Sequence, residues 1–240
     1  MPPVPRHQAT FHTTRWTRVC AAKSDSEDGR KALADLCDAY YEPVLAYLRC
    51  EVRDGDAARD AAHAFFAQML AGGGLARAER EHGRFRSYLL GAVKHFLAHQ
   101  REAAQRMKRG GGVDVASLDE PEAQVVADAR QPSPDAAFDR QWALTLLSHA
   151  LGDLQRECQL EGRAEVFEKL QPWLTGDAAH GDQLELAASL GMNLNSLKSQ
   201  IHRLKSRFRA LLKEQIAATL DEGGSIDEEM GVLLAALRRN

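Results

Sequence analysis

Apolar residues recur along this chain three and four positions apart, the spacing of helices that each bury one face. The pattern runs through Leu33, Leu36, Tyr40, Val44 and Leu48, then Ala58, Ala61, Phe65 and Met69, then Phe85, Leu89, Ala92 and Phe96. Its longest stretch is Leu194, Leu197, Ile201, Leu204, Phe208, Leu211 and Ile216. Shorter helices are expected over Trp142 to Leu151 and Val166 to Leu170. A last one is expected from Ile226, Met230, Leu233, Leu234 and Leu237. Strand-like alternation is essentially absent, so the expected fold class is all-α. Pro43 lies inside the first stripe, and the pattern leaves open whether that helix kinks or breaks near Tyr40-Tyr41.

An internal proline costs a helix about 3 kcal/mol, so proline placement marks boundaries. The eight prolines leave 44–120 and 173–240 uninterrupted. Between them, from Gly110-Gly111-Gly112 to Pro132-Ser133-Pro134, the chain is acidic and aperiodic, the composition of a flexible tether. The expected layout is therefore an N-terminal segment (1–29), a helical module (30–109), an acidic linker (110–135), a second helical module (136–222) and an amphipathic extension (223–240). A length of 240 residues suits two small modules with a core each.

The net charge of -3 conceals a segregation. Arg77 to Arg109 and Asn193 to Lys213 each carry +6, and the rest of the chain is acidic. The four cysteines form no Cys-x-x-Cys pair, no secretory start is present, and no window approaches the ~20 apolar residues of a membrane span. A soluble protein of the reducing cytoplasm is expected.

The second basic island carries the clearest motif. Ala187 is a small residue suited to a close helix crossing, Gly191 can take the left-handed conformation of a tight turn, and Leu197 can pack the following helix back on the first. Asn193 or Asn195 can cap that second helix. This is helix-turn-helix spacing. Lys198, His202, Lys205 and Arg209 form a strip beside the apolar stripe, with Arg203 and Arg207 on the opposite flank. One-signed charge suits a helix in the major groove, with cations on phosphates and N-terminal side chains at base edges. The residues expected at duplex DNA are Asn195, Ser196, Lys198, Ser199, His202, Arg203 and Lys205, of which Asn195, Ser196 and Ser199 are best placed to choose bases.

In the first island cations interleave with aromatics: Arg84-Phe85-Arg86-Ser87-Tyr88, Lys94-His95-Phe96, then Arg101, Arg106, Lys108 and Arg109. Cations that track a backbone are an ingredient of single-strand binding. The spacing of Phe85, Tyr88 and Phe96 assigns those rings to the core, leaving the cations and the loop Gly72 to Gly83 as the expected contacts.

Duplex recognition at one end and single-strand capture at the other describe a promoter-opening factor. Further segments fit: Phe11-His12-Thr13-Thr14-Arg15-Trp16, Asp54-Gly55-Asp56-Ala57-Ala58-Arg59-Asp60 through Phe65-Phe66-Ala67-Gln68-Met69-Leu70, Gly83 through Gly112, Val166 through Leu174, and Leu184 to Leu212. Over residues 11 to about 220 the chain resembles a bacterial RNA polymerase sigma factor of the extracytoplasmic-function type, which keeps only sigma domains two and four. The resemblance implies binding to core RNA polymerase, at its clamp and flap, and to promoter DNA, both duplex and single-stranded. It assigns Asp54, Asp56, Asp60, His63 and Phe66 to the polymerase, and Arg84, Arg86, Lys94, His95, Arg101, Arg106 and Lys108 to the melted -10 element. It assigns the helix-turn-helix to the -35 element. It also implies a linker running through the RNA exit path and an anti-sigma factor as a further candidate partner. His63-Ala64 departs from the Gln-Glu usual in the family. Core affinity is therefore expected either to be weaker than is usual in the family or to depend on the charge of His63 over about pH 6 to 8.

Catalysis has no comparable support. The sequence has no His-Glu-x-x-His, no Gly-x-Ser-x-Gly and no Gly-x-x-x-x-Gly-Lys, so neither an enzyme nor a cofactor is expected. His95 and His99 are spaced to share a metal but lack a third ligand nearby. The alternatives are a stand-alone helix-turn-helix regulator that binds a palindromic duplex as a dimer, and an adaptor for a protein partner. The C-terminal extension either completes the core of the second module or docks over a basic face.

Overall fold

The computed structural model describes residues 27–52, 54–71, 85–110, 132–175, 183–217, 220 and 224–238. Among these residues the protein is all helical, without strands: α1 (Glu27–Glu51), α2 (Gly55–Ala71), α3 (Phe85–Gly110), α4 (Pro134–Leu160), α5 (Ala164–Thr175), α6 (Gln183–Ser189), α7 (Leu194–Ala217) and α8 (Ile226–Arg238).

The first stripe becomes a continuous α1 that runs through Pro43 without a break. It buries Tyr40, Val44, Tyr47 and Leu48, one face of the helix. Burial pushes the Tyr47 phenol up to about 12, with the nearby Glu51 carboxylate adding to the shift. Asp54 then starts α2. Its Oδ1 accepts from the amides of Asp56 at 2.8 Å and Ala57 at 3.3 Å, groups that a helix start otherwise leaves without partners.

Phe65, Phe66, Phe85 and Phe96 of α2 and α3 are core, while Tyr88, expected there too, is only partly buried against it. Phe85 meets Tyr40 edge-on at 5.0 Å, and Phe65 meets Phe96 at 5.6 Å. Among the described side chains of α3 Leu97 is the last buried one, and 98–107 are exposed on every face.

The largest departure from the sequence reading is α4, expected over Trp142 to Leu151 and found to be 27 residues long. Pro134, expected in the tether, is the first helical residue, where its missing N–H costs nothing. Ser133 Oγ caps the helix by accepting from Ala136 N at 3.2 Å. The buried ridge is Phe138, Trp142, Leu146, Ala150, Leu154 and Cys158, every fourth residue. Each four-residue step overshoots a turn by about 40°, so this ridge winds roughly 200° around the helix. That winding lets α4 pack against α1 and also against α7 and α8. The buried side chains of the described helices accordingly form one contiguous cluster. Most of the expected linker, 110–135, lies outside the described residues.

At its C-terminus α4 stops in a Schellman turn around Gly162, whose φ is 70°. Arg163 N donates to Cys158 O at 2.8 Å, and Gly162 N to Gln159 O at 3.0 Å. The expected C-terminal helix exists as α8 and buries Leu233 and Ala236 against α4 and α7. No described helix is long and apolar enough to cross a membrane.

Candidate nucleic-acid interface

The turn between α6 and α7 has the geometry that Ala187, Gly191 and Leu197 require. Gly191 has φ 63°, a conformation that costs other residues about 1 to 2 kcal/mol. Around it Met192 N donates to Ala187 O at 2.9 Å and Gly191 N to Ala188 O at 3.1 Å. Ala187 and Leu197 are both buried where the helices meet. Of the two asparagines left open as caps, Asn193 fills the role: its Oδ1 accepts from Ser196 N at 2.8 Å. Asn195 is thereby left exposed on the first turn of α7.

That first turn opens onto a concavity of about 620 Å³ lined by Asn193, Leu194, Asn195, Ser196, Ser199, Gln200 and Arg203. Four of these (Asn195, Ser196, Ser199 and Arg203) are residues expected at duplex DNA. Gln200 was missed, although it lies one turn beyond Ser196 and is legible on that ground. Amide side chains such as those of Asn195 and Gln200 can pair with both major-groove groups of an adenine edge, and a guanidinium with guanine or phosphate.

The cations of α7 divide into two groups. Arg207 is held by Glu157, at 2.8 Å from Nε and 2.6 Å from Nη2, and by Glu214 at 3.0 Å. The Arg207 bond, reinforced by its charge, holds the Glu157 carboxyl below its ordinary range. Lys213 bonds Asp227 of α8 at 3.1 Å. Among the described residues Lys198, Arg203, Lys205 and Arg209 have no ion-pair partner, and with His202 all are exposed. Arg207 and Lys213 are thus ties between helices, while the other cations face solvent and Arg203 lines the concavity.

The cations of α3 are arranged differently. Arg86 is buried beside Asp139, Lys94 bonds Asp135 at 2.7 Å, Arg101 bonds Glu51, and Arg106 bonds Glu102 at 3.3 Å. His95 is exposed and meets His99 edge-on at 4.4 Å. No group of three His, Cys, Asp or Glu able to hold a metal occurs among the described residues. Arg84, the Lys108 side chain, the loop Gly72 to Gly83 and the segment Phe11 to Trp16 lie outside the described residues.

On α2, Asp54 is engaged as the helix cap, Asp56 pairs with Arg59, and Asp60 is exposed. His63 is exposed, accepts or donates a 3.0 Å hydrogen bond with the Tyr41 hydroxyl and stacks on its ring at 5.7 Å. Phe66 is buried beneath the same tyrosine, with ring centroids 6.0 Å apart, so it shapes this surface from below. Comparison with known protein families, characterised proteins and solved structures finds no match to this chain.

Proposed function

We propose that the chain is an extracytoplasmic-function sigma factor, which joins core RNA polymerase, recognises the -35 and -10 promoter elements and holds the strands apart for initiation. The observation that carries this reading is the split among the α7 cations. Arg207 and Lys213 are used to hold the fold through Glu157, Glu214 and Asp227, while Lys198, Arg203, Lys205 and Arg209 have no ion pair among the described residues and Arg203 lines a polar concavity. A merely solvated helix needs no such segregation, whereas a helix in a major groove does. In this reading 30–109 and 136–222 act as the two DNA-binding units, 110–135 links them, and the protein works in the cytoplasm. Asp60 and the Tyr41-His63 surface of α2 then face the polymerase clamp.

The stand-alone helix-turn-helix regulator is kept as a second reading because the described cations of α3 are all paired, which a surface waiting for single-stranded DNA does not need.

The test mixes the full chain with core polymerase and a duplex bearing an unpaired bubble. A sigma factor co-elutes with core and gives specific initiation. A regulator shifts intact duplex without polymerase, and an adaptor does neither; either result overturns the proposal.

A further inference from the structure

The buried cation of α3 is where three helices distant in sequence meet. Arg86 is 8% exposed and Glu229 of α8 only 1%. The guanidinium donates through Nη1 to Asp139 of α4, lies 3.7 Å through Nη2 from Glu229 Oε1, and sits 4.9 Å from the centroid of the Trp142 ring. Two turns further along α3, Lys94 bonds Asp135, one turn before Asp139 on α4. The acidic start of α4 thus lies along the basic start of α3 in opposite sense, and α8 closes the arrangement at Arg86.

The energetics of this cluster are informative. One buried cation is shared between the buried Glu229 and the partly buried Asp139, and desolvating such groups costs several kcal/mol per ion, so an apolar trio in the same volume is often the more stable solution. What charged groups offer instead is a contact whose partners are well hydrated once separated, and whose cation then suits a phosphate. Lys94 and Asp135 are each about half exposed (46% and 49% of the side chain), so their bond is screened by salt; the Arg86 cluster is screened much less.

We propose that α8, together with the acidic first turns of α4, is an autoinhibitory latch that withholds Arg86 and Lys94 from nucleic-acid phosphates. The inference rests on the reading of α3 as a nucleic-acid surface and supplies its regulation. It also explains why Arg86 and Lys94 are paired while Arg203 beside the concavity is not. With the latch shut the helix-turn-helix remains open to duplex, and the single-strand surface is occupied by the protein's own carboxylates. Withdrawing α8 and the first turns of α4 from Arg86 and Lys94 is the releasing step.

Two full-length variants test this: Glu229→Lys, which sets a second cation against Arg86, and the isosteric pair Asp135→Asn with Asp139→Asn. Each is checked for native helicity and melting. Binding of fluorescein-labelled oligothymidylate is then measured against salt, and hydrogen exchange of the α8 amides is followed without DNA. Both variants should bind the oligonucleotide several-fold more tightly, with the salt slope steeper by roughly 0.7 for each released cation. Adding Arg86→Met to Glu229→Lys, or Arg86→Met with Lys94→Met to the asparagine pair, should abolish most of the gain, and Glu229→Lys should speed α8 exchange. A native-like fold with unchanged exchange and affinity overturns the latch, as does a gain that persists once the cations each variant releases are removed. Faster exchange without tighter binding also overturns it and removes α3 from the nucleic-acid surface. Because no polymerase is present, failure of the latch is separate from failure to join core polymerase.

Discussion

Arg207 of α7 and Glu157 of α4 are joined by two parallel hydrogen bonds, 2.8 Å from Nε and 2.6 Å from Nη2, across 50 residues of sequence. The planar fork of the guanidinium matches a carboxylate, and this pair ties the rotation of α7 to α4. Its partners are roughly two-fifths exposed (42% and 36%), so solvent discounts the contribution to about 0.5 to 1 kcal/mol. The carboxyl titrates below its ordinary range in the fold. The stabilisation is therefore complete above the unfolded-state pKa of Glu157 and is lost as pH falls through the lower folded value. Urea denaturation of wild type and Glu157→Gln should differ by that amount at neutral pH and converge in acid.

Two glycines make a matched pair. At neither Gly191 nor Gly152 would an added Cβ meet another atom within 4 Å, yet Gly191 has φ 63° and Gly152 lies within helical α4. Gly191→Ala should destabilise by about 1 to 2 kcal/mol through backbone strain, and Gly152→Ala should stabilise by about 0.5 to 1 kcal/mol through helix propensity. Denaturation midpoints moving in opposite directions would establish both.

For duplex binding, each of Lys198→Ala, Arg203→Ala and Lys205→Ala should reduce the salt slope by about 0.9 for a lost phosphate contact. Arg207→Ala should leave that slope unchanged while lowering stability, because its charge is already committed to Glu157 and Glu214. Fluorescence anisotropy over a salt series reads the difference.

The surface of α2 bears on polymerase affinity. His63→Gln with Ala64→Glu restores the polar pair of the resembled family and should tighten binding to core polymerase several-fold. His63 is exposed, so the change should leave the melting temperature nearly unaltered. Titration of labelled protein with core enzyme measures it, and an unchanged affinity would remove this face from the proposed contact.

Local features were legible because they are written in neighbouring residues. The Ala187, Gly191 and Leu197 spacing identified the turn, and the three-to-four spacing of Phe85 and Phe96 identified core rings. The extent of α4 was hidden because its apolar ridge, stepping by four, never shows one steady face. Pro134 looked like a breaker because its role as first helical residue depends on Ser133 capping behind it. The burial of Arg86 was not legible at all: its partners, Asp139 and Glu229, come from helices that only the tertiary fold brings together. The same holds for the commitment of Arg207 to Glu157.

The length of α4 has a mechanical side. At 1.5 Å per residue, the grip on Arg86 at Asp139 and the grip on Arg207 at Glu157 are about 27 Å apart on one stiff rod. A twist or tilt of that rod has to be absorbed at both grips, so a pull exerted on the far end of the axle is felt at the near end without any loop to take up the slack.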